Sequence, residues 1–167
     1  MPPAAALPAT PAARPARHAA LLLGIGLGGF VDGILLHQIL HWHMMLSSRV
    51  PPIDLGAMQL NMRWDGLFHA AVWLATLAGV ARLWAAARTG GALPSGRWFT
   101  GWLLLGWGLF NLVEGVINHH LLDLHHVRYE AMQWDRPSAA WDLGFLLVAG
   151  VGLIAVGWLM QRGAARQ

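Results

Sequence analysis

The chain contains no cysteine and, among its 11 basic residues, no lysine. The first absence excludes disulfides, thiolate-bound metals and iron–sulfur clusters. The second leaves arginine as the only strong cation, and the arginines are scattered singly through the sequence. A sequence pI near 11.0 therefore marks no basic tract suited to nucleic acid, and a nucleic-acid partner is rejected. Charge of either sign is scarce, at 11% of 167 residues, where a soluble domain carries about a quarter. There is no Walker, Rossmann or Ser-His-Asp pattern and no HExxH.

Apolar residues take up the space that charge leaves. They make up 56% of the chain, and the mean hydropathy is +0.48. Four apolar stretches stand out, roughly 19–43, 66–88, 98–122 and 139–160. Each approaches the ~20 residues that cross a bilayer as a helix. Backbone polar groups in lipid must be satisfied internally, so the expected fold is an all-α integral membrane bundle of four transmembrane helices. The bilayer is the partner this composition demands. A second copy of the chain or another membrane protein is left open.

Residues 1–18 are rich in Pro and Ala and read as a disordered tail ahead of a single transmembrane domain, 19–162. Arg14 and Arg17 before an apolar run also fit a signal peptide, but the run is too long and carries a motif that cleavage would remove. With the tail inside, Arg14, Arg17, Arg82, Arg88, Arg97, Arg162 and Arg166 are cytoplasmic, and Arg49, Arg63, Arg128 and Arg136 are outside. This bias predicts an inner-membrane protein with both termini cytoplasmic.

A motif occurs twice, shifted by 82 positions. Asp32-Gly33 is followed by His37, His41 and His43; Glu114-Gly115 is followed by His119, Asp123 and His125. The register is acid-Gly-x3-His-x3-(His/Asp)-x-His. Ionisable side chains in apolar stretches are costly, so their repetition points to a built site. A weaker echo pairs Trp64-Asp65 with Trp141-Asp142, and Ala57-Met58-Gln59 with Ala131-Met132-Gln133. The unit is thus a helical hairpin repeated twice, and an even number of spans per unit keeps the copies parallel about an axis along the membrane normal. Apart from His18, every histidine then falls at one membrane face.

Regular helical geometry suggests how the site is shared out. His37 and His41 are i,i+4 and share a face. His119, Asp123 and His126 form a similar stripe. Asp32 with His43, and Asn111, Glu114, Asn118 and His125, lie about 140° away at 100° per residue. The expected ligands are His37, His41, His69 and His119, with Asp123. Asp32 and Glu114 lie about 7–8 Å deeper at 1.5 Å per residue, as supports or proton carriers. His43, His125 and His126 are secondary ligand candidates or solvated interfacial histidines. Asp65 and Asp142 each follow a Trp at an expected helix start and read as N-caps before ligands. The glycines of helices 1 and 3 read as close helix contacts.

Clustered imidazoles and carboxylates suit Zn, Cu or Fe. Met44, Met45, Met58, Met62 and Met132 fall on the same side, which tilts the expectation towards copper, although methionine also fills apolar gaps.

The segments GFVDGILLHQILHWHMM, NLVEGVINHH and LLDLHHVR resemble a family of bacterial predicted integral membrane proteins. The resemblance covers nearly all of the chain after the tail, and implies a four-helix inner-membrane protein with no established reaction. It implies a His-His pair after Trp42, where this chain has His43-Met44. The leading expectation is a transition-metal protein, in metal handling or as a small metalloenzyme. The alternatives are a b-type haem protein ligated by His37 and His119, a proton or ion carrier using Asp32 and Glu114, and a structural subunit.

Overall fold

The computed structural model describes residues 12–90, 92–130, 133–135 and 137–164. Its residues form four long helices, each long and apolar enough to cross a membrane, and no strand is present among those described. Helix α1 runs Ala13–Phe30 and continues as a π-helix over Val31–Ile39. Helix α2 is Leu55–Ala87. Helix α3 is Gly96–Glu114, continued as a π-helix over Gly115–Leu121. Helix α4 comprises Ala139–Gly144, a π-helical Phe145–Gly152 and Leu153–Ala164.

Two bounds differ from the sequence expectation. Helix α1 starts at Ala13, ahead of the expected 19. Ala is the best helix former, and Pro15 sits in the first turn, where its missing N–H has no intrahelical partner to lose. Residues 1–11 of the expected tail lie outside the described residues. Helix α2 starts at Leu55, about three turns before the expected 66. Its N-cap is Asp54, whose carboxylate accepts from Ala57 N at 2.9 Å. Asp65 therefore lies inside the helix. The polar residues that disguise this stretch are used by the neighbouring loop: Asn61 accepts from Leu46 N and donates to Val50 O.

The two repeats face one another through α1 and α3, with α2 flanking α1 and α4 flanking α3. Glycine makes the central approach possible. A Cβ on Gly24 would run into the Leu103 carbonyl, and one on Gly106 into the Leu21 carbonyl. These contacts exchange under the same 82-residue shift, so the central crossing is itself pseudo-two-fold. Gly26 lies against Val72 and Thr76 of α2; its counterpart Gly108 lies against Gly150 and Ile154 of α4. Small residues at such interfaces let apolar helices pack by contact alone.

Burial is inverted relative to a soluble protein. Leu67, Val148 and Leu159 are exposed, as lipid-facing residues should be, whereas the largest fully buried side chains are His37, His43, His125, Asn61, Asp65 and Ser47.

Candidate metal centre

The polar core lies where α1 and α3 end, closed by the loop residues 40–54 and 122–130. Both helices widen into π-helix at this point. In an α-helix residues five apart diverge, but i→i+5 bonding brings them onto one face. His37 Nε2 accordingly lies 3.3 Å from Asp32 Oδ2, and His119 Nε2 lies 3.3 Å from Glu114 Oε1. This corrects the expectation of a deeper carboxylate layer: Asp32 and Glu114 are beside the imidazoles.

Each repeat then leaves its helix through a residue at φ 50, His41 in one and Asp123 in the other. This left-handed turn, which histidine and aspartate tolerate better than most residues, folds the next two residues back over the core. The returning side chains are His43 and His125, both fully buried. They stack on each other across the pseudo-two-fold, with centroids 4.6 Å apart and planes within 5°. Helical stripes could not anticipate this, because neither residue is on the helix.

The loops cross-brace the two repeats. His43 Nδ1 donates to Val127 O at 2.8 Å, and His125 Nδ1 donates to Met45 O at 3.0 Å. Met45 and Val127 are themselves repeat counterparts. Their N–H groups donate to Asp65 Oδ1 and Asp142 Oδ1, at 2.8 and 2.9 Å. Asp65 Oδ1 also accepts from His37 Nδ1 at 3.0 Å, and Asp142 Oδ1 lies 3.5 Å from His119 Nδ1. Asp65 and Asp142 thus hold a loop and orient an imidazole; they cap no helix.

This arrangement fixes the imidazoles' roles. An ionised carboxylate or a carbonyl only accepts, so Nδ1 of His37, His43 and His125 carries the proton. In the neutral rings Nε2 then keeps its lone pair. His37 Nε2, His43 Nε2, Asp32 Oδ2, Glu114 Oε2 and His119 Nδ1 are buried with no hydrogen-bond partner. His125 Nε2 lies 3.0 Å from Glu114 Oε1, two acceptors facing one another unless a cation or proton lies between them. Burial, with the His125 and His37 rings beside it, holds the His43 imidazole well below the usual histidine range. The ligand atoms of His37, His43 and His125 lie within 4.8 Å of one another, as do those of Glu114, His119 and His125. Donors of this kind and spacing can hold a metal ion.

Of the residues expected as ligands, His37 and His119 are in this cluster. His41 is exposed and outside both ligand groups. Asp123 is half-exposed and pairs with Arg49 at 3.7 Å and His126 at 3.0 Å. His126 has both nitrogens engaged, by Asp123 and by Asp142 Oδ2 at 2.6 Å. His69 lies against Gly33, with its Nε2 buried and unpartnered, outside both ligand groups. Met44, Met58 and Met62 line a cavity of about 340 Å³ that reaches His37 and His41; Met45 is buried, and Met132 lies outside the described residues. The stronger role of His43 and His125 was legible in one signal: they and His37/His119 are the histidine positions common to both copies of the motif.

Fold and site together define a four-helix membrane protein with a buried histidine–carboxylate centre shared between two repeats. The chain belongs to the family described as predicted membrane protein (DUF2243), whose model matches residues 19–164. No curated protein and no solved structure matches it.

Proposed function

We propose that the protein binds a transition metal at the pseudo-two-fold, through His37, His43, His119 and His125 with Asp32 and Glu114, and acts in metal handling or as a small metalloenzyme. One observation carries the reading: the Nε2 atoms of His37 and His43, whose Nδ1 atoms are pinned by Asp65 and Val127 O, are buried without a hydrogen-bond partner beside the Asp32 carboxylate. Hydrogen-bond acceptors on Nδ1 are the usual partners of metal-bound histidine. Burying this many polar groups unsatisfied would cost about 1–3 kcal/mol each, and a cation removes that penalty. Zn or Cu fits the donors, and the thioethers of the adjoining cavity favour copper. Haem fits less well, because stacked His43 and His125 fill the space beside His37 and His119 that a porphyrin would need. With the arginine bias, the centre lies near the periplasmic face of the inner membrane and both termini are cytoplasmic. A reporter fused after Arg49 should read periplasmic.

The test is elemental analysis of protein purified without a His-tag. Zn or Cu should be present and should be reduced in both His37→Ala and His119→Ala. A Soret band would instead establish haem. Metal-free protein that gains no stability from added Zn or Cu would leave the cluster as a proton path or a packing network.

A further inference from the structure

We infer that the centre holds two metal ions, one per repeat, the first on Asp32, His37 and His43 and the second on Glu114, His119 and His125. This rests on the metal-binding reading above and adds its nuclearity. The decisive geometry is the stacked pair. A metal bound to an imidazole lies near the ring plane, along the lone pair. The His43 and His125 planes are within 5° of parallel, with centroids 4.6 Å apart, so the rings lie one over the other. An ion in the plane of one ring lies out of the plane of the other, so the parallel rings favour separate ions.

Lone-pair counting agrees. The two ligand groups overlap at His125 alone. Its Nδ1 proton is committed to Met45 O, so it has one lone pair to give. Glu114 Oε1 at 3.0 Å assigns that lone pair to the second repeat. His43 Nε2, 4.0 Å from Asp32 Oδ1, belongs with the first. Each repeat thereby supplies two imidazoles and a carboxylate, a set that suits a divalent first-row metal and leaves positions open for an exogenous ligand.

Charge points the same way. Asp32, Asp65, Glu114 and Asp142 are all buried, and their ion pairs run only to histidines among the described residues. These four carboxylates carry a charge that two divalent cations match.

The experiment equilibrates untagged full-length protein with excess Zn(II), removes free ion by gel filtration and counts zinc per chain. Two per chain are expected, falling to about one in His43→Ala or His125→Ala and to none in the double variant. One zinc per chain in the wild type, lost entirely in either single variant, would overturn the two-ion assignment while leaving the metal site standing. No zinc in the wild type would overturn the metal reading itself. A second measurement needs no variant: wild-type protein loaded with Cu(II) should give a half-field electron paramagnetic resonance signal from coupled ions. An isolated-copper spectrum at full loading would contradict the pair.

Discussion

Superposing one repeat on the other in sequence separates the centre from its surroundings. Asp32, His37, His43, Phe68 and Asp65 correspond to Glu114, His119, His125, Phe145 and Asp142. His37 stacks near Phe68 at 5.8 Å, and His119 lies tilted near Phe145 at 5.6 Å. Around this shared set the copies diverge. His41 faces Asp123 in the register, Met44 faces His126, Ser47 faces Tyr129, and His69 faces Leu146. Every shared member is part of the buried cluster or touches it. The divergent members lie in the loops, on the rim or against α1. Duplication built one symmetric interior, and the periphery of each copy then took its own course.

The largest expected effect breaks the symmetric interior at its crossing point. His43→Ala and His125→Ala should reduce bound metal by similar amounts, about half in each case, measured by elemental analysis. A large loss in one variant and none in the other would mean that the halves are not equivalent. Next come the carboxylates that orient the ligands. Asp65→Asn and Asp142→Asn should each weaken metal affinity about 10–100-fold, the usual cost of an outer-shell change, in competition with a chelator of known affinity.

The helix crossing offers a structural test of the same symmetry. Gly24→Ala and Gly106→Ala both force a Cβ onto a facing backbone carbonyl. Each should lower stability in detergent by about 1–3 kcal/mol, the range for overpacking a close contact, seen as reduced unfolding temperature. The smallest effects belong to the divergent rim. His41→Asn and Asp123→Asn keep a residue that accepts φ 50, and metal affinity should stay within about a factor of two, as for surface changes away from a site. His69→Leu makes the first repeat resemble the second and should leave the metal in place. Loss of metal in any of these three variants would enlarge the centre beyond its symmetric set.

Much of this architecture was visible in the sequence. Four spans follow from composition and length, and the duplication follows from the motif. His37 and His119 stand out because imidazole in an apolar helix is expensive. Two physical facts were hidden. The π-helical widening brings Asp32 to His37 and Glu114 to His119, a pairing that 100° per residue denies. The left-handed turns at His41 and Asp123 return His43 and His125 to the core, so that exposed and buried positions on either side of the turn cannot be told apart by periodicity. The early start of α2 was hidden for a related reason. Asn61 and Asp65 look like loop residues until the loop that they hold is in view.

X-ray absorption at the metal edge of the wild-type protein tests the central claim most directly. A centre built from both repeats should show nitrogen and oxygen donors at about 2.0–2.2 Å, with the outer-shell scattering of at least three imidazoles shared between the ions. That signature should lose imidazole scattering in His125→Ala. A metal bound mainly by sulfur at about 2.3 Å, or one whose spectrum is unchanged in His43→Ala and His125→Ala, would place it outside the buried histidines and contradict the account.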